Sequence, residues 1–352
     1  MRLVLVTDAW HPQVNGVVRT LQAIGDELVA MGHDVVRITP SDFRTLPCPT
    51  YPEIRLSLTG RRGVGRRIAA ADPDFIHIAT EGPLGIAARR YCVGEGLHFT
   101  TGFHTRFPEY LRARAPIPLA WSYAFLRWFH GPSSNVMVPT ESVRQVLVAQ
   151  GFDNLRIVSR GVDTELYRLA PADAFDLPRP IAINVGRVAV EKNIQAFLDM
   201  PFAGSKVVVG DGPMLGHFRR RYPDVIFTGA KFGAELARHY ASADVFVFPS
   251  RTDTFGLVLL EALAAGTPVA AYPVSGPKDV IGKAAIGCLD DDLAQATRRA
   301  LQIPREDCRR FALGFSWRAV AESFLDILAP ACGQIRCDAF RTRWKGRRRG
   351  SR

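Results

Sequence analysis

The feature that most constrains this chain is a rhythm that runs twice. Short apolar segments of strand length alternate with segments of helix length, first from the N-terminus and again after Pro178. The first series comprises strand-like runs at Leu3–Thr7, Val35–Ile38, Phe75–Ile78, Leu97–Gly102 and Asn135–Val138, with a helix from about Val17 to Met31. In that helix Val17, Leu21, Ile24, Leu28 and Met31 fall on one stripe, the three-to-four spacing of a buried face, and Gly32 supplies the stop. The second series reads Ile181–Val185, a helix through Ile194–Phe197, Lys206–Val209, Val225–Phe227, Val245–Phe248, a helix over Leu257–Ala265, and Val269–Ala271. Strands joined by helical crossovers make parallel sheets, so the expected class is α/β, with two Rossmann-like, doubly wound domains in tandem. The expected boundaries are 1–170, 171–315, a final helix over 316–331 packing back on the first domain, and a basic tail over 332–352.

At 352 residues the chain can bury two separate cores. No apolar run approaches the roughly 18–20 residues that span a bilayer, and MRLVLVTDAW reads as a first buried strand rather than a signal peptide. A cytoplasmic protein is expected. Six scattered cysteines show no paired CxxC spacing and no histidine at zinc-ligand distance, which predicts reduced thiols and no metal. A net charge of +11 favours polyanionic partners. Much of it sits in the tail around Arg341–Arg349 and in Arg61, Arg62, Arg66 and Arg67, which read equally as solvated helix surface or as contacts to a membrane.

Three loops can carry chemistry. Gly16, between the first strand and first helix, lets backbone amides approach a phosphate, although the loop is not GxGxxG. Arg187 and Lys192 follow the first strand of the second series, where two cations can clamp a diphosphate and neutralise charge that builds on it. Pro249–Val269 is the most informative: an acidic loop with Gly256, then a short apolar helix carrying Glu261. A carboxylate there needs a ligand diol, a salt bridge or a backbone donor.

Asp253 and Glu261 stand seven residues apart, and this segment resembles the acidic signature of retaining glycosyltransferases of GT-B architecture, family four, with Asp in place of the first Glu. The resemblance extends to Thr7–Gly16, Phe103–Tyr110, Ser159–Asp163, Gly186-Arg187 with Lys192, and Val209–Pro213. It implies that Glu261 holds a ribose, that Arg187 and Lys192 hold the diphosphate of a nucleotide-sugar, and that Gly16 closes on the phosphate from the other domain. It further implies that Asp253, with Thr254, Phe255, Gly256 and Leu257, grips the transferred sugar, and that His104 is the histidine beside that sugar. Retention without a protein base and without a metal or cofactor follows from the same resemblance. Asp72-Pro73-Asp74 mimics a metal-binding DxD but reads as a turn.

Residues 106–130 mix cations with large apolar groups, and Arg112, Arg114, Trp121, Arg127 and Trp128 are the candidates for a lipid acceptor and an anionic membrane surface, against the alternative of an ordinary packed helix. The opening loop and Ala271–Val280 look most like diacylglycerol glycosyltransferases using UDP-glucose or UDP-glucuronate, and like GDP-mannose-dependent mannosyltransferases. A peripheral position on the inner face of the cell membrane is expected. A dehydrogenase is disfavoured by the missing glycine fingerprint; a non-catalytic protein binding polyanions or nucleic acid would suit the charge but should line one groove with cations and interleaved aromatics; and a degenerate, non-catalytic family member is disfavoured by Arg187, Lys192, Asp253 and Glu261.

Overall fold

The computed structural model describes residues 1–332 apart from Val14, Pro49, Thr50, Phe107, Tyr110, Leu111, residues 113–117 and Ala172. The acceptor candidate Arg114, Cys337 and the basic tail from residue 333 therefore lie outside the described residues.

The chain divides into two compact units. The first holds Met1–Pro139, Arg144–Val158 and the chain from Ala321 onward. Its sheet is built from β1 (Arg2–Val6), β2 (Asp34–Ile38), β5 (Phe75–Ile78), β6 (Thr100–Gly102), β7 (Asn135–Val138) and β8 (Leu155–Ile157), in the order β2-β1-β5-β6-β7-β8. All pairings are parallel. Helices cover both faces, which is why Leu3 to Val6 form an unbroken apolar run instead of an alternating one. A separate antiparallel hairpin, β3 (Thr45–Cys48) with β4 (Tyr51–Ser57), was not foreseen from the sequence.

The second unit holds Thr140–Val143 and Ser159–Val320. Its strands β9 (Ile181–Val185), β10 (Ser205–Val209), β11 (Ile226–Gly229), β12 (Val245–Phe248), β13 (Val269–Ala271) and β14 (Gly287–Leu289) run in the order β11-β10-β9-β12-β13-β14, again all parallel. In both sheets the strand order reverses once, between β1 and β5 in the first and between β9 and β12 in the second. Successive crossovers leave in opposite directions there, the place on the carboxyl edge where sheets of this kind bind ligands.

Two expectations shift. The segment Leu97–Gly102 yields only Thr100–Gly102 as strand, because Leu97 N is taken by Cys92 O at the end of the helix Pro83–Gly94 and His98 N by Ala331 O. Residues 159–170, expected in the first domain, belong to the second unit: Val162 N donates to Phe315 O, and Val162 and Tyr167 pack in its core. The helix Trp317–Ile327 starts against Gly161, and from Ala321 onward it belongs to the first unit, where Asn135 Nδ2 donates to Ile327 O and Phe324 meets the His77 ring edge-on.

His77 carries a pH prediction. Its ring is buried with Nδ1 2.9 Å from Thr100 Oγ1, and burial pushes its pKa from 6.5 down to about 3. The unfolded chain therefore binds the extra proton between those values, so stability holds above about pH 6.5 and falls as pH drops through the window. Between pH 7 and pH 5 this group alone is worth about 2 kcal/mol. His77→Gln should remove that much of the pH dependence of urea unfolding, whatever it costs at pH 7. An unchanged difference between the two pH values would contradict the assignment.

Candidate functional site

The switch point of the second sheet is lined by the two loops that leave it. After β9, Gly186 and Arg187 lead into a single turn at Val190–Lys192 that ends at Asn193 in the left-handed region, φ 50°. After β12, residues 249–256 run to Gly256, whose φ of 86° suits a residue without Cβ and which starts the helix Leu257–Ala264 with no side-chain cap. The first-turn amides of that helix thus face the edge uncovered by its cap residue.

The loops are stitched together. Asn193 Nδ2 donates to Pro249 O, Thr252 Oγ1 donates to Glu191 O at 3.4 Å, and Lys192 Nζ donates to Asp253 Oδ1 at 2.5 Å. The last contact pairs a cation and an acid that the sequence singled out separately. Both side chains are more than two-thirds buried, and Asp253 Oδ2 is buried with no hydrogen-bond partner among the described residues. A buried carboxylate oxygen left open costs free energy unless something else completes its shell. Arg187 stands half-buried in the same β9 loop. Of the other residues, Phe255 is buried in the core while Thr254 and Leu257 are partly exposed.

Glu261 lies on the helix behind this edge, only 2% exposed. The hydroxyl of Tyr240 donates to its Oε2 at 3.0 Å. Tyr240, Asn193 and the pair formed by Arg251 and Tyr272, with the guanidinium carbon 3.7 Å from the ring centroid, were not singled out from the sequence. Each acts through a contact distant in sequence, which periodicity and spacing do not report.

In the first unit Gly16 is the opening residue of the helix Gly16–Ala30, but the amides of Val17 and Val18 are already occupied by Asn15 Oδ1. The free helix terminus expected there is thus partly capped by its own side chain. Asp8 reaches across to accept from Leu84 N, Gly85 N and Thr80 Oγ1, tying the β1 loop to the helix Pro83–Gly94. Burial raises its pKa, and those hydrogen bonds oppose the rise. His104 follows β6 at the same carboxyl edge, its Nε2 against Gly102. The structure thus brings Lys192 and Asp253 into contact within one unit, and places Gly16 and His104 in the other. Asp72 and Asp74 do form a turn: Asp72 is the left-handed cap of the helix Arg61–Ala71, and Asp74 Oδ2 accepts from Arg2 N.

The aromatic stretch sorts into two faces. On the helix Leu119–His130, Tyr123, Leu126 and Phe129 are buried, and the Tyr123 hydroxyl donates to Glu109, which together with burial raises its pKa to about 12. Trp121 is 72% and Trp128 41% exposed, with Trp128 under the Arg89 guanidinium. Arg127 and Arg112 are exposed, Arg127 donating to Gln150 O. Of the other basic cluster, Arg61 pairs with Glu95 and Arg67 with Asp42. Among the described residues no helix is long and apolar enough to cross a membrane.

Comparison with known proteins places these features in a family. Residues 14–166 match Glycosyltransferase Family 4, and residues 179–303 match Glycosyl transferases group 1. A GDP-mannose-dependent alpha-mannosyltransferase of Mycobacterium tuberculosis is 30% identical over 92% of this chain and 95% of its own length. An alpha-monoglucosyldiacylglycerol synthase of Streptococcus pneumoniae is 29% identical over 86% of this chain and 78% of its own. Among solved structures, Anabaena HepE in complex with UDP superposes with a TM-score of 0.67 at 16% identity, covering 92% of this chain and 98% of that one.

Proposed function

The chain belongs to glycosyltransferase family 4 and has the GT-B fold, and from that premise we propose that it transfers a hexose or hexuronic acid from a UDP-sugar, UDP-glucose or UDP-glucuronate, to a membrane lipid such as diacylglycerol, with retention of configuration. The observation that carries the donor half is the Lys192–Asp253 contact at the switch point, in the loop that leads into the helix carrying buried Glu261. On this reading Glu261 takes the ribose diol, Lys192 and Arg187 take the diphosphate, and Asp253 with the backbone of residues 254–257 takes hydroxyls of the sugar. His104 is proposed as a contact to the transferred sugar. The cations supply the charge neutralisation that a divalent metal gives in other transferases, so no metal is required. The departing phosphate accepts the acceptor's proton, and no carboxylate acts as a general base.

Support for a lipid acceptor comes from the exposed Trp121 and Trp128 beside Arg127, a combination that suits headgroup depth, and from the Streptococcus relative's named activity. The enzyme then works from the inner face of the membrane as a peripheral protein. The second reading, mannosyl transfer from GDP-mannose to a glycolipid or polysaccharide precursor, is favoured by the identity and coverage of the Mycobacterium relative.

The test is incubation of the full chain with a panel of UDP- and GDP-sugars and membrane lipid extract, with and without EDTA, reading products by mass spectrometry and their anomeric configuration by NMR. A diacylglycerol product with the donor's α-configuration, formed in EDTA, is expected. Turnover of GDP-mannose alone would select the second reading. An inverted product, or activity lost in EDTA, would overturn the retaining or the metal-free mechanism.

A further inference from the structure

Glu261 sits in the fifth position of an apolar helix, and the reach of its carboxylate depends on what fixes its last torsion. The Tyr240 hydroxyl donates to Glu261 Oε2 at 3.0 Å, and Tyr240 is itself completely buried. Its ring lies edge-on between those of Tyr167, 5.9 Å away, and Phe246, 5.7 Å away. Its backbone carbonyl accepts from Thr267 Oγ1 at 2.7 Å, at the turn that follows the Glu261 helix. The phenol is thus held at ring and backbone, and has one orientation to offer. A hydrogen bond to a carboxyl group held away from water is among the stronger kinds, and it sets the plane of the group.

We infer that Tyr240 is a positioning residue for the nucleotide's ribose: by holding one oxygen of Glu261 it presents the carboxylate in the plane that a vicinal diol can meet. This rests on the reading that Glu261 takes the ribose. Tyr240 acts on the ligand through the Glu261 carboxylate that its hydroxyl holds. The sugar-transfer chemistry lies at the other end of the diphosphate, so the effect falls on donor binding more than on turnover.

The experiment measures binding of UDP, GDP and their 2′,3′-dideoxy counterparts to the full chain by calorimetry. The ratio of ribo to dideoxy affinity is read for whichever base binds tighter. Each ratio is internal to one preparation, so a partly unfolded variant lowers both affinities equally and leaves the ratio readable. Tyr240→Phe is expected to lose about tenfold in affinity for the ribonucleotide and to keep its affinity for the dideoxy form, with donor KM rising about tenfold and kcat within about threefold. Thr267→Val, which removes the backbone hold on Tyr240 but leaves its hydroxyl, should lower the same ratio by no more than about threefold. A Tyr240→Phe ratio equal to wild type, while Glu261→Gln abolishes the preference, overturns the positioning role and leaves the ribose reading standing. A preference that survives Glu261→Gln, or is absent from the wild type, overturns the ribose reading itself.

Discussion

Replacing Lys192 by alanine is expected to lower kcat/KM by about 10²–10³-fold, with kcat carrying most of the loss. As the bond to the diphosphate breaks, negative charge grows on the leaving group, and a cation already in place stabilises that charge more than it stabilises the bound donor. The ammonium is in place before substrate arrives: it is 27% exposed and held 2.5 Å from Asp253 Oδ1. Its removal also strips Asp253 of its counter-charge in a half-closed site, so part of the loss reaches the sugar contact through that acid. Lys192→Arg should recover part of the rate, since charge is restored with a different shape. Arg238→Ala, which breaks an exposed pair with Asp173, should leave kcat/KM unchanged. Steady-state kinetics on the three variants decides. Equal losses in Lys192→Ala and Arg238→Ala would remove the special role of Lys192.

Gly210→Ala is expected to destabilise the second unit by more than about 3 kcal/mol, and to abolish donor binding in whatever folded protein remains. Gly210 directly follows β10 with φ at 150°, and its amide donates to Gly229 O. A Cβ there would stand 1.8 Å from Gly186 O, a backbone atom of the neighbouring loop that carries Arg187 and Lys192. Backbone held in a sheet has no room to retreat, so the loop must move or the strand must part. Thermal unfolding followed by circular dichroism, with nucleoside diphosphate binding alongside, measures both effects. Gly216→Ala is the control: the nearest atom to its Cβ is the far end of Arg220, 3.8 Å away. A Gly210→Ala protein with wild-type stability and binding would show that the two loops do not depend on this close approach.

The second sheet was the most legible part of the chain. Its central strands β9, β12 and β13 are buried along their whole length and read as uninterrupted apolar runs, so Ile181–Val185, Val245–Phe248 and Val269–Ala271 appear where expected to the residue. The hairpin of β3 and β4 was invisible for the opposite reason: it lies outside the parallel sheet, and exposed Leu46 with Pro47 breaks the pattern that marks a buried strand. At the site, residue type and spacing pointed to Lys192, Asp253 and Glu261, because a cation or acid beside an apolar element demands a reason. Their partners could not be read the same way. Lys192 meets an acid 61 residues on, and Glu261 meets a phenol 21 residues back, and neither separation has a period. The capping of Val17 and Val18 by Asn15 was within reach of sequence reasoning, since asparagine before a helix is a strong cap. That its side chain takes up the amides of both Val17 and Val18 needed the geometry.

The central claim is that the carboxyl edge of the second sheet is the nucleotide-sugar site. A crystal structure of the full chain with a bound nucleoside diphosphate tests it most directly. The account predicts the ribose hydroxyls at the Glu261 carboxylate and the diphosphate within hydrogen-bonding distance of Lys192 and Arg187. A nucleotide bound at any other edge, or Glu261 and Lys192 both out of reach of it, would contradict the account.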